Sequence, residues 1–256
     1  MDSFVKESSE KMLERLRNGD NFTFMQEVHL AFMLSLPAML AQISTIIMEY
    51  IDASMVGHLG ANATASIGLV STTTWLFFGI TMAATTGFTV QAAKAIGARE
   101  DKKARNIMKQ GLICTVIYSI LMAIIAFCIS HSLPGWLSDD TALHADATSY
   151  FLIFTLAMPA FQINSIAGGM LQASGNMKTP GILNVLSCIL DVLFNAILIF
   201  PSGTLQIAGI SIPGAGLGVP GAALGTVCAE VITAGLMLYI LLFRSKVLKL
   251  RRDEQT

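Results

Sequence analysis

Apolar residues gather into six stretches along the chain, at about 28–56, 64–95, 111–130, 147–172, 180–200 and 221–243, separated by short polar connections. Each stretch reaches the roughly 20 residues with which a helix crosses a bilayer. None alternates with the period of two that a membrane barrel requires. In hydrocarbon, backbone polar groups must bond within their own segment, so the six stretches predict six helices. The first two exceed one crossing, which predicts tilt or extension beyond the hydrocarbon. The pattern predicts an all-α integral membrane protein built as a six-transmembrane-helix bundle.

Charge orients the bundle. The sixteen lysines and arginines fall before the first stretch, from the end of the second (Lys94) to the start of the third, between the fourth and fifth, and after the sixth. The alternate connections, around 57–61, 131–146 and 201–219, hold none. The positive-inside bias therefore predicts cytoplasmic placement of both termini. Three regions follow: a cytosolic N-terminal segment at 1–26, a six-helix membrane lobe at 27–243 and a basic cytosolic tail at 244–256. Residues 1–26 read either as a weakly amphipathic face of Met12, Leu13 and Leu16 or as a loosely ordered leader. They lack the pattern of a cleavable signal. Composition agrees, with 54% hydrophobic residues, 13% charged and a mean hydropathy of +0.64. No basic stripe interleaved with aromatics suggests nucleic acid.

Within the stretches, Pro37 and Pro159 predict kinks, as hinges or as static shape. The run Gly216, Gly218, Gly221, Ala222, Ala223 and Gly225 predicts close helix approach. Trp136 and Tyr150 are expected at the outer interface. The four cysteines, Cys114, Cys128, Cys188 and Cys228, lie in apolar stretches without metal-ligand spacing and read as small buried packing residues.

The polar residues inside the stretches carry the functional signal. An acidic residue at a helix centre costs about 3 kcal/mol to insert, so Glu49, Asp52, Asp191 and Glu230 each need a reason. At 100° per residue, Asn184, Ser187, Asp191 and Asn195 fall within about 80° of arc. Gln42, Thr45, Glu49 and Asp52 occupy a similar arc of about 80°, and Thr226, Glu230 and Thr233 one of about 60°. Three such stripes should face one another or a water-filled cavity. Bland readings stand beside this one: Asp52 solvated at the outer interface, Asp191 a structural hydrogen-bonding residue, Glu49 and Glu230 ordinary bundle contacts.

The chain holds no nucleophile–base set, HExxH, GxSxG or GxxxxGK[ST] pattern, and His29, His58, His131 and His144 lie near stretch ends or in loops. These absences point away from an enzyme and from ATP-driven work, and leave an ion gradient as the energy source for any pumping. A carboxyl group held out of water suits that role, because it can trade a proton or coordinate Na⁺ through its oxygens.

Several segments resemble one family. They are Leu36-Pro37-Ala38 with Tyr50-Ile51-Asp52-Ala53 and Val56-Gly57-His58-Leu59-Gly60; Ile96-Gly97-Ala98-Arg99 through Lys102-Lys103-Ala104; Gln172-Ala173-Ser174-Gly175-Asn176 with Lys178-Thr179-Pro180; and Gly218-Val219-Pro220-Gly221-Ala222-Ala223 with Thr226. In this order they resemble the multidrug and toxic-compound extrusion (MATE) transporters over residues 28–243, as the N-terminal six-helix lobe. The resemblance implies a cation-coupled antiporter, using H⁺ or Na⁺ and no cofactor, that exports amphipathic or cationic drugs and metabolites. It places the family's ion-binding acids on Asp52 and Asp191, a Na⁺ site if Na⁺ is the coupling ion, with Thr226 beside them. Ser187 stands where some members carry asparagine. The remaining stripe residues, Gln42, Thr45, Glu49, Asn184, Asn195 and Glu230, are expected to line the cavity. The implied partners are the lipid bilayer, small-molecule substrates and a second six-helix lobe or a homodimer partner. The implied location is a plasma membrane, as a multi-pass protein of the bacterial inner membrane. A lipid-linked precursor flippase of the same broad fold, and a non-transporting scaffold or incomplete product, are the alternatives.

Overall fold

A computed structural model describes residues 12, 15, 18, 22–202, 206–207, 210–211, 214–245 and 247–249. Eight α-helices account for most of them: α1 (Phe24–Gly57), α2 (Ala61–Gly97), α3 (Asp101–Ser130), the single-turn α4 (Leu133–Leu137), α5 (His144–Leu156), α6 (Met158–Ala173), α7 (Lys178–Ile199) and α8 (Val219–Tyr239). A 3₁₀ turn at Thr141–Leu143 leads into α5, and a π-helical turn at Ile240–Arg244 continues α8. The connection between α7 and α8 carries a short antiparallel hairpin, β1 (Gln206–Ile207) against β2 (Ile210–Ser211), and an isolated bridge between Pro201 and Ala215.

Helices α2, α3, α7 and α8 with its π-helical turn are each long and apolar enough to cross a membrane. The fourth expected helix is two. Helices α5 and α6 pass the same test together but meet at a 44° bend. The break falls at Ala157, two residues before Pro159, which occupies the first turn of α6. Proline has no N–H to give the preceding turn and its ring collides with the carbonyl four residues back, so the helix ends and restarts. By contrast α1 continues as one helix through Pro37. Its 34 residues rise about 51 Å, longer than a bilayer core.

α8 packs on α7 and α6, α1 packs principally on α7, and α2 packs on α3 and α6. Three apolar clusters fill the contacts. One, at the end nearest the basic connections, joins Ala95, Ile96, Met108, Met170, Leu171 and Leu241. A second, at the other end of α2, joins Val70, Phe77, Ala126, Phe151 and Met158. The third joins Val56, Ala63, Ile199, Val219 and Ala222. The outward faces stay apolar and exposed, among them Ile113, Ile117, Ile124, Ile182 and Leu193. That is the pattern of helices solvated by lipid.

One further expectation is corrected by packing. Cys114, Cys128 and Cys228 are exposed on outer helix faces and Cys188 is half-buried, so the cysteines are not core residues. The start of the 244–256 region packs against the helices. Leu248 is fully buried, Leu248 N–H donates to Ser245 Oγ, and Arg105 on α3 donates to Val247 O at 3.0 Å. Most of residues 1–26 lie outside the described residues. Among those described, Met12 is buried and Asn18 accepts a hydrogen bond from Arg99.

Candidate functional site

The connection between α7 and α8 sets the register of the site. The last carbonyls of α7 would lack partners at a helix end. Here Ile197, Leu198 and Ile199 accept from the N–H groups of Ala215, Leu217 and Gly218. This returns the chain tightly, with Gly216 and Gly218 both at φ +64°, a conformation glycine adopts without Cβ strain. Pro220 then opens α8 in its first turn. At the other end of α7, Asn176 caps the helix by accepting from Thr179 N–H and donating to Thr179 Oγ1.

Running antiparallel, α7 and α8 meet rung by rung. Gly225 abuts Asn195, Thr226 and Asp191 share the facing walls, and Thr233 Oγ1 reaches Ser187 Oγ at 3.4 Å. From the far side α1 brings Asp52 to the same level. One amide joins the two acids: Asn195 Nδ2 donates to Asp52 Oδ1 at 2.9 Å and to Asp191 Oδ2 at 3.1 Å. Asp191 and Asn195 are each 1% exposed, whereas Asp52 is half-buried. Asp191 Oδ1 is buried without a partner.

These residues close one side of a cavity of about 750 Å³. α1 lines it with Thr45, Glu49 and Asp52, α7 with Asn184, Ser187 and Asp191, and α8 with Thr226 and Glu230. The opposite wall is aromatic. Phe78 meets Phe161 edge to face at 4.9 Å between centroids, and Phe154 stacks on Phe161 at 5.9 Å. Tyr150, expected at an interface, instead turns inward onto Phe154 at 4.7 Å and lines the cavity. Trp136 is exposed. No lysine, arginine or histidine is among the described lining residues.

Thr233 is buried against α7, and two of the residues expected to line the cavity do not. Gln42 is exposed and lies away from it: α1 leans mainly on α7, so a position ten residues before Asp52 meets no opposite wall. Asn195 lies behind the acids as their shared donor rather than at the surface. In turn the cavity contains polar residues that no stripe singled out. Asn164 Nδ2 donates to Glu230 Oε1 at 2.6 Å, Gln162 Nε2 donates to Thr81 Oγ1 at 2.7 Å, and Thr85 and Ser165 hydroxyls stand 3.5 Å apart. These belong to α2 and α6, where Thr81, Thr85 and Thr89 at four-residue spacing were the available signal. No cluster of three or more His, Cys, Asp or Glu side chains suited to a metal occurs among the described residues. The two aspartates offer only oxygen, which suits a hard cation or a proton.

Comparison with known proteins agrees with this architecture. The family model MatE matches residues 37–197. The chain is 23% identical over 219 residues to a probable multidrug resistance protein NorM of Thermotoga maritima, covering 86% of this chain and 45% of that protein. It is 22% identical over 192 residues to a probable multidrug resistance protein NorM of Neisseria meningitidis, covering 74% and 41%. Among solved structures, it superimposes on an outward-facing multidrug resistance MATE family transporter of the MOP superfamily with a TM-score of 0.77 at 22% identity, covering 87% of this chain and 47% of that one. It superimposes on a MOP superfamily transporter from Pyrococcus furiosus with a TM-score of 0.78 at 19% identity, covering 99% and 49%. The chain spans about half the length of the curated relatives it matches.

Proposed function

Because this chain belongs to the MatE family of multidrug and toxic-compound extrusion transporters, we propose that it forms the N-terminal six-helix lobe of a cation-coupled antiporter. Its cargo is amphipathic or cationic small molecules, and its coupling ion, H⁺ or Na⁺, is exchanged at Asp52 and Asp191. It is a transporter-family protein and not an enzyme, and it works in a bacterial plasma membrane with a second six-helix lobe or a second copy completing the cleft. Lobes of this kind rock against each other around a central site to expose it to alternate sides.

The observation that carries the reading is the pair of carboxyl groups sharing one amide donor at the cavity wall. Both acceptor oxygens lie within 3.1 Å of one nitrogen, so they are at most about 6 Å apart. Two unit charges at that distance repel by roughly 3 kcal/mol at an effective dielectric of 20. A proton or a Na⁺ at the pair relieves that repulsion, and losing it restores the repulsion, so the ion's arrival and departure change the energy of the wall that the cargo meets. Thr226 and Ser187 supply neutral oxygens beside the pair. The flippase reading has less support, since a cavity for phosphate-bearing lipid calls for basic lining residues. Energised vesicles holding the chain with a completing lobe or as a homodimer are expected to expel a cationic dye when a H⁺ or Na⁺ gradient is imposed. Accumulation unchanged by either gradient in every such assembly would remove the reading.

The topology is tested separately. Cysteine placed at Ser138 should react with an impermeant maleimide from outside intact cells, and cysteine at Lys102 should not. The exposed native thiols at Cys114, Cys128 and Cys228 must first be replaced. Gly203, in the other connection expected outside, lies beyond the described residues. Labelling of Lys102 from outside would overturn both the six-span count and the cytoplasmic placement of the termini.

A further inference from the structure

At the end of the bundle that carries the basic connections, the chain beyond α8 turns back onto the helices. The buried face of α8 continues past its last α-helical residue, with Met237, Leu241, Ser245 and Leu248 at spacings of four, four and three. The path between them is not a continuous helix. The π-helical turn Ile240–Arg244 stops at Ser245, whose backbone is extended at ψ 137°. Ser245 Oγ then accepts from Leu248 N–H at 3.1 Å, which folds residues 245–248 into one capped turn. That turn carries Leu248, 0% exposed, into the apolar cluster of Ala104, Met108, Met170, Met237 and Leu241.

Arg105 holds the turn in place. It sits on α3 at 6% exposure, next to Ala104, which the same cluster buries completely. A guanidinium never gives up its charge in such surroundings, so it needs acceptors. Arg105 Nη1 donates to Val247 O at 3.0 Å, joining points 142 residues apart in sequence. The hold on the segment is small: one apolar knob, one capped turn and one bond from a charged donor. Phe243, Arg244 and Lys249 beside it are exposed. Segments with few buried contacts open locally at far less cost than global unfolding. The π-helical turn that leads into it is a geometry that recurs at functional sites.

The cluster that Leu248 completes is also the floor of the chamber. Met237 lines the cavity and packs beside Gly168, which lines it too. Leu241 lies one turn beyond Met237, and Leu248 joins both in the same cluster. On α6, Leu171 of that cluster precedes Gln172 of the cavity lining. We propose that residues 245–248 are a latch that shuts the floor of the cavity at this end, with Arg105 as the positioning residue that keeps it closed. The end is cytoplasmic in the topology proposed above. The latch closes a route through the lobe itself, so it is separate from any rocking of two lobes.

Cys188 lines the cavity and serves as the reporter. Cys114, Cys128 and Cys228 are replaced by alanine, and sealed vesicles holding the full chain receive a membrane-impermeant methanethiosulfonate. The reagent is applied to whichever face labels a cysteine at Lys102, so the result does not depend on the topology. Arg105→Gln should speed modification of Cys188 about tenfold or more, the shift expected for losing one hydrogen bond from a charged group. Leu248→Ala should speed it as well. Lys102→Gln, exposed one turn earlier on α3, should not. Equal rates with membrane-permeant N-ethylmaleimide report an intact fold in each variant. Hydrogen exchange in the unaltered chain gives a reading that needs no variant: Leu248 N–H should exchange at least tenfold more slowly than in a free peptide of the same sequence. Modification as fast in the unaltered chain as in both variants, or unprotected exchange at Leu248, would overturn the latch. Neither measurement reads transport, so absence of efflux would remove the export reading and leave the latch standing.

Discussion

Asp191→Asn is expected to leave the chain in the membrane at normal abundance and to reduce gradient-driven efflux to the background of empty vesicles. The side chains are nearly isosteric, and Asp191 sits 1% exposed on α7 where the backbone is fixed by packing on α8 and α1. The change is one of chemistry. An asparagine neither releases a proton nor balances the charge of Na⁺, and it brings N–H donors beside Asp52. In place of two acceptors competing for Asn195, the wall then holds one acid with surplus donors. With Asp191 no longer able to exchange a proton or balance Na⁺, the proposed ion step is expected to be lost. The measurement is dye efflux under imposed H⁺ and Na⁺ gradients, in the completed assembly, with membrane abundance checked in parallel. Undiminished gradient-dependent efflux would make Asp191 a structural hydrogen-bonding residue.

Gly225→Ala is expected to lower stability and ion-dependent efflux together. A Cβ at that position would run into Asn195 Oδ1, and it would also lie 2.9 Å from Asn195 Cγ and from its backbone nitrogen. Rotating the asparagine relieves the first two contacts, but only moving α7 relieves the third. Overpacking of this kind costs about 1–3 kcal/mol. At about 2–4 °C per kcal/mol for a chain of this length, Tm should fall by several degrees. The displaced residue is the amide that joins the two acids, so ion-dependent efflux should fall together with Tm. Asn195→Ala in the same chain should restore part of the stability and none of the coupling, since the backbone contact remains and the shared donor is gone. Full recovery of Tm in the double variant would place the collision in the side chain alone.

Much of this arrangement is readable from spacing. Asp191 and Asn195 are one turn apart on a helix whose other faces are apolar, and that alone aims them inward. The small residues Gly221 and Gly225 announce the close approach of α8 to α7. What spacing does not carry is the partner of each stripe. A helical arc of about 80° says that several side chains share a direction, not how far the opposing wall extends. Gln42 therefore shares the arc of Asp52 and still lies outside the cavity. Asn164 and Gln162 escaped notice for a related reason. They follow the break at Ala157, and a helix restarted at 44° no longer keeps the rotational register of the residues before it. Cys114, Cys128 and Cys228 show the reverse limit. In water an apolar small side chain on an apolar helix reads as core, whereas lipid accepts the same side chain on the outside. The functional roles of Asp52, Asp191, Ser187 and Thr226 rest on the family resemblance together with the proposal built on this geometry.

The break at Ala157 also ties the shape of the chamber to the posture of one helix pair. Phe154 precedes the break and Phe161 follows it, and their rings lie 5.9 Å apart in a stacked arrangement against the chamber. The rings thus bridge the elbow like two fingertips across a bent knuckle. A guest wide enough to wedge between them must change the elbow's angle, and a change of angle imposed from elsewhere in the membrane must part or press the rings. Fit and flexion are a single coordinate here, so a bulky aromatic guest would be felt as leverage on α5.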